Sequence, residues 1–317
     1  MTRHAGPADR SGPASGEILH GFPHLETIQA SLTALYKRLS YDTVSTFARS
    51  VLPDEVRIPP EADIYLGTQQ VARTILQHLR LPDARMIVAF RDMVHAGNVE
   101  LEAGPEYFIE LNARFKDDRR DIGACLAHEV MHVYLHRLGL SFPGTRDNEI
   151  LTDTATTYLG AGWLLLDAYR EESNVRGDRL VRSASKLGYL TPEEFGYVLA
   201  KRALAFGDDI EPWFSSAQAR DAYRAGLAQA QADLRQPPLV KCGWASRRRY
   251  AAERRYVQRG DWSGGTAVRA GGYAFESGSP LRVSFPCPTC HQRIRVPVRG
   301  RLTARCGLCR SELQCDT

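Results

Sequence analysis

The sequence predicts an α+β protein, a mostly helical body with a small sheet, followed by a small β module at the C-terminus. Apolar residues recur at helical spacing over much of the first 235 positions, and short runs of alternating apolar and polar residues lie between about residues 86 and 111. Two C-x-x-C pairs near the end then mark out a unit held by cysteine rather than by a large core. The expected organisation is a polar, disordered N-terminus at 1–20, the body at 21–235, a basic and Gly-rich linker at 236–280 and the cysteine module at 281–317.

In chain order, Leu25, Ile28, Leu32, Leu35 and Leu39 recur at helical spacing, and a short helix is expected over Val44 to Val51. Pro53, Pro59 and Pro60 punctuate the connection to an amphipathic helix at Thr68 to Leu81. Strands are expected at Met86 to Phe90, Asn98 to Leu101 and Glu106 to Leu111, the last two joined by a turn at Ala103-Gly104-Pro105. A helix follows to about Leu138, with Asp118 and Asp121 suited to its N-cap and N3 positions and Gly139 to its end. Another runs from about Asn148 through Trp163. Thr191-Pro192-Glu193-Glu194 is a capping box that introduces a helix to about Phe206, and a further helix spans Ser216 to Leu234 before Pro237-Pro238. Short strands at Leu281 to Phe285, Ile294 to Val298 and Leu302 to Arg305 surround the cysteines.

Composition bounds the function. With 317 residues, 43% of them hydrophobic, the chain can bury a substantial core. Its apolar runs fall short of the roughly twenty residues of a membrane span, and Met1 to Gly16 lacks the apolar centre of a signal peptide, so a cytoplasmic protein is expected. Four of seven cysteines lie in C-x-x-C pairs, a metal pattern rather than a disulfide framework. Residues 236–317 hold 15 Lys/Arg against 5 Asp/Glu, a net +10 that leaves −6 on the remainder.

The chemistry is concentrated in Ala124-Cys125-Leu126-Ala127-His128-Glu129-Val130-Met131-His132. Residues four apart on a helix share a face, so His128 and His132 can turn toward one ion, and Glu129 stands at the edge of that face as a proton acceptor. Asn148-Glu149-Ile150-Leu151-Thr152-Asp153 follows, with Glu149 and Asp153 one turn apart. Glu149 can be the third ligand, while Asp153 can accept the free N–H of a ligating histidine and fix its orientation. Two alternatives stay open: Asp153 as the ligand in place of Glu149, and His136, which in a straight helix sits far along the axis from His128.

The pairing of His128-Glu129-x-x-His132 with Asn148-Glu149-x-x-Thr152-Asp153 resembles the thermolysin-type zincin metallopeptidases. The resemblance covers about thirty residues around the site. It implies a zincin-like fold, a catalytic zinc held by His128, His132 and Glu149, Glu129 as general base, Asp153 behind a histidine, and a peptide or protein substrate. It also points to the strand before the metal helix, Tyr107 to Asn112, as the one an extended substrate pairs with. The family's distal histidine and tyrosine have no match in this chain.

Cys287-Pro288-Thr289-Cys290, fifteen residues, and Cys306-Gly307-Leu308-Cys309 form the two-knuckle pattern of a structural zinc ribbon, giving a second, four-thiolate zinc. Cys315 fits neither knuckle. Cys125 falls on the ligand side of its helix, where packing is the ordinary use of a free cysteine and a redox role the sharper one. The basic charge of 236–317 offers either weak, salt-sensitive nucleic-acid contact or a protein-docking surface. The functional expectation is a zinc metallopeptidase. One alternative is similar in layout to SprT-like proteases acting on nucleic-acid-associated protein, which take histidine as third ligand; the other is a non-catalytic zinc-binding regulatory or docking protein.

Overall fold

Helix α3 (Ile122–Leu138) is buried on nearly every side, which its sequence ordains: from Ile122 to Leu135 nearly every residue but the two histidines and Glu129 is apolar. The computed structural model describes residues 18–101, 106–176, 179–259 and 272–317. The expected disorder of the N-terminus falls almost wholly outside the described residues, as do the Ala103-Gly104-Pro105 turn and most of the Gly-rich tether. The chain is α+β, with eight α-helices and ten strands among the described residues. It divides into two compact units, Ser45–Gly226 with the residues up to Ser31, and Leu227–Thr317 with Leu32–Val44.

In the first unit, α2 (Ile64–His78), capped by the Asp63 carboxylate on the Leu66 amide, packs on α3. The sheet order is β1 (Met86–Arg91), β3 (Tyr107–Asn112), β2 (Gly97–Glu100), with β1 parallel and β2 antiparallel to β3. Strand β3 buries Tyr107, Ile109 and Leu111 on one face, the alternation visible in the sequence. It is the central strand, so its backbone is paired on both sides and Tyr107 to Asn112 cannot take an added strand. The edge strand beside α3 is β2. The substrate-pairing expectation for β3 is therefore corrected.

The start of α3 also differs from expectation. Asp118 caps a 3-10 turn at Arg119–Asp121 with Asp121 at its third position, α3 proper begins at Ile122, and Asp121 is held in a two-pronged ion pair with Arg170 (2.6 and 2.9 Å). Gly139 ends α3 in the left-handed conformation, as its position suggested. The single helix expected from Asn148 through Trp163 is two, α4 (Thr145–Tyr158) and α5 (Trp163–Asp167), broken where Gly160 takes φ +107°. A hairpin of β4 (Arg170–Arg176) and β5 (Arg179–Ser185) follows, then α6 (Pro192–Phe206), whose Thr191–Glu194 capping box forms as expected. Helix α7 (Ala217–Asp233) follows, with its residues up to Gly226 in this unit.

The second unit holds the latter part of α1 (Leu25–Ser45), the end of α7, α8 (Trp244–Gln258) and two small sheets. One sheet is β6 (Ala274–Glu276), β7 (Arg282–Pro286) and β8 (Arg293–Pro297); the other is β9 (Arg301–Arg305) with β10 (Glu312–Asp316). Residues 244–258, part of the stretch the sequence suggested as linker, form a helix anchored by Tyr250. That ring stacks on Phe275 at 5.4 Å and meets Tyr273 edge-on at 5.1 Å.

Candidate metal centres

On α3, His128 and His132 sit one turn apart and bring their Nε2 atoms to 3.0 Å from each other. Glu149, buried on α4, closes the triangle, its Oε2 lying 3.1 Å from His128 Nε2 and 3.4 Å from His132 Nε2. Nitrogen and oxygen ligands about 2.0–2.1 Å from a tetrahedral zinc lie roughly 3.3 Å apart, so the spacing of these side chains suits such an ion. The three can hold a metal as a group.

The hydrogen bonds behind the histidines fix which nitrogen faces the triangle. Asp153, fully buried, stands 2.8 Å from His128 Nδ1 and accepts its proton through Oδ1. Its Oδ2 accepts the amides of Tyr189 (2.5 Å) and Leu190 (3.2 Å). Thr152 donates its hydroxyl to Asn148 O at 3.0 Å, so the same oxygen is left to accept from His132 Nδ1 at 3.4 Å. Both Nε2 lone pairs then point at each other and at the Glu149 carboxylate. Two imidazole nitrogens and a carboxylate oxygen thus converge on one point, an arrangement that a proton or a metal cation there stabilises.

The electrostatics agree. Burial acts to lower the His128 pKa, but Asp153 and Glu149 outweigh it and raise it well above the ordinary value. Burial acts to raise the Glu149 pKa, and the two histidines overcome it and lower it. The pocket draws positive charge.

Glu129 is buried at 7% exposure, next to His128 in sequence but outside the ligand triangle. Strand β2 comes close against it: a Cβ on Gly97 would lie 2.8 Å from Glu129 Oε1 and 2.7 Å from Cys125 Sγ. Only glycine lets the strand approach this far. Cys125 itself is fully packed, and burial first, then the Glu129 charge, keep its thiol pKa well above the ordinary range. That environment suits packing, not redox chemistry.

No family model, curated protein or solved structure matches this chain.

The rival ligands are placed elsewhere. His136 is exposed near the end of α3, and Asp153 lies on the Nδ1 side of His128, away from the triangle. Sequence reasoning missed the loop that holds Asp153. Gly188, at φ +79°, lets the backbone close over the carboxylate, and the Lys186 ammonium donates to the carbonyls of Gly188 and Leu190. A lone glycine between Leu187 and Tyr189 signals a tight turn, but nothing in the sequence says which carboxylate it covers.

In the second unit, Cys287, Cys290, Cys306 and Cys309 are all buried, and the Sγ pairs Cys287/Cys309 and Cys290/Cys306 are each 3.6 Å apart. Sulfurs about 2.3 Å from a tetrahedral zinc lie roughly 3.8 Å apart, so this set also fits. The knuckles are built alike. The His291 amide bonds Cys287 O and the Arg310 amide bonds Cys306 O, with His291 and Arg310 both left-handed (φ 59° and 60°). Thr289 and Ser311 join the knuckles at 2.9 Å, and Thr33 of α1 donates to Cys290 O at 2.7 Å. Cys315 is buried in β10, apart from the cluster.

Proposed function

We propose that the first unit is a zinc-dependent peptidase of the zincin type, with Glu129 as general base, and that the second carries a structural zinc on its four cysteines. The observation that carries this reading is the His128/His132/Glu149 triangle of 3.0–3.4 Å edges with a buried carboxylate, Glu129, on the same turn of helix. Three nitrogen and oxygen ligands are the set of catalytic zinc, whereas four thiolates are the set of closed structural sites.

When bound, zinc polarises the scissile carbonyl and makes water a stronger acid. The residues of the chain do the rest. His128, His132 and Glu149 hold the site, and Asp153 and Thr152 keep the imidazoles turned inward. Glu129 takes a proton from the attacking water as the C–O bond forms, then gives it to the departing amide nitrogen as the C–N bond breaks. Among the described residues β2 is at the edge of the sheet and lies against Glu129 through Gly97, so an extended peptide running along that edge would pass beside the catalytic carboxylate. Incubation of the zinc-loaded full chain with a denatured protein mixture, followed by sequencing of new amino termini, tests the reading. New termini that disappear on zinc removal and return with zinc support it; none from fully loaded protein leaves a non-catalytic zinc protein.

A further inference from the structure

We propose that the outer face of α8 binds single-stranded nucleic acid. The inference does not rest on the peptidase reading, since it concerns another unit and another chemistry.

Helix α8 carries five arginines and one glutamate, with Arg259 just beyond its end. Three of the arginines donate to backbone carbonyls: Arg247 to Val240 and Cys242, Arg254 to Thr317 O at 2.6 Å, and Arg255, through Nε alone, to Ala251 O at 3.2 Å. The glutamate, Glu253, accepts the Tyr273 hydroxyl at 2.6 Å. Arg248, Arg249, Arg255 and Arg259 are exposed, and no carboxylate forms an ion pair with them among the described residues. Trp244, Arg248, Ala252, Arg255 and Arg259 fall within one stripe of the helix, spanning about 22 Å, on the side away from the buried Tyr250.

The aromatic residues decide the ligand. Trp244 is 75% exposed and Tyr256 48%, so two aromatic rings stand at the surface of this arginine-rich helix. The Arg248 guanidinium lies 5.5 Å over the Trp244 ring, so cation and π face are presented together. An acidic protein would satisfy the arginines but carries aromatic rings only here and there, whereas every nucleotide of a strand carries a phosphate and a π face together. Duplex nucleic acid would satisfy the arginines too, yet it keeps its bases stacked inside. An unstacked strand gives phosphates to the guanidinium groups and bases to the rings.

The arginines of the two small sheets contribute less, because many face acids. Arg295 pairs with Glu276 at 2.6 Å and Arg310 with Asp42 at 2.7 Å, while Arg301 and Arg305 stand directly opposite Asp316 and Glu312. Among the described residues, the positive charge that is diffuse in the sequence of 236–317 is thus left without ion pairs at Arg248, Arg249, Arg255 and Arg259 of α8 and its end.

The test uses the full, metal-loaded chain with fluorescent oligo-dT and oligo-U of about twenty nucleotides, enough for one site, and a duplex of the same length. Anisotropy should show tighter binding of single strands than of duplex; dT against U separates DNA from RNA. Trp244→Ala should weaken binding about tenfold while Trp244→Phe, which keeps a stacking ring, restores most of it. Replacing Arg248, Arg249, Arg255 and Arg259 by glutamine should flatten the dependence of log affinity on log salt by roughly 0.7 for each phosphate no longer neutralised. Absence of binding at low salt, preference for duplex, or affinity and salt slope unchanged in both sets of variants would overturn the proposal. All the substituted side chains are exposed, and matching far-UV circular dichroism checks that α8 persists.

Discussion

Asp153 Oδ1 stands 2.8 Å from His128 Nδ1, and the other oxygen of the same buried carboxylate is filled by the amides of Tyr189 and Leu190. His128 on α3 is thereby oriented by Asp153 of α4, and Asp153 by a loop 36 and 37 residues further along the chain. Asp153→Asn replaces an acceptor of three hydrogen bonds with a group that must turn a donor toward one of them. Zinc affinity at the first site should fall about 10–100-fold, measured by chelator competition, while the four-cysteine site keeps its metal. Unchanged affinity would show that Asp153 plays no part in holding the ion.

Gly188→Ala attacks the same carboxylate from the loop. The new Cβ would lie 2.6 Å from Asp153 Oδ2, in a backbone conformation of φ +79° that costs a residue with a Cβ on the order of 1 kcal/mol before any clash. Thermal unfolding should come earlier and zinc affinity at the first site should drop with it. A variant that loses stability but keeps full zinc affinity would show that the loop supports the fold and not the metal.

Gly97→Ala should separate base from metal. Its Cβ would press on Glu129 Oε1 and Cys125 Sγ, neither of which belongs to the ligand triangle. Zinc content should hold, and cleavage should fall up to about a hundredfold, the scale of effect of a displacement near 1 Å at a reacting group. Adding Cys125→Ala makes room and should recover part of the rate. Parallel measurement of bound zinc and turnover checks both.

The parts of the protein legible in its sequence are those where one local rule suffices. The turn-spaced histidines, the Gly139 stop of α3, the Thr191–Glu194 box and the cysteine knuckles each announce themselves within a few residues. What stays hidden depends on partners far away. Helix α8 looks like linker because it buries little beyond Tyr250, and one aromatic makes no periodic pattern; Phe275 and Tyr273 hold it from the sheet. The alternation of β3 reveals a strand but not that β1 and β2 enclose it, so the sequence points to the wrong strand as the edge. Asp121 sits three residues after the capping Asp118, as its spacing suggests, but the Arg170 that grips it lies 49 residues away in sequence and leaves no local signal.

Cys306→Ser should reduce the zinc of the full chain from two ions to one. With cobalt in place of zinc, the intense thiolate charge-transfer absorption of the four-sulfur site should vanish, leaving the weaker bands of a nitrogen and oxygen site. Loss of the weaker bands with the thiolate absorption retained would reverse the assignment of the two centres.

The central claim, that Glu129 moves the proton in a zinc-dependent peptide hydrolysis, is tested most directly by Glu129→Gln, with zinc content and peptide cleavage read on the same preparation. The side chain is buried beside His128 but is not a ligand, so the amide should fit in its place. Two zinc ions per chain are expected, as in the wild type, with cleavage lowered at least about a hundredfold. Cleavage at the wild-type rate with both ions bound would contradict the claim.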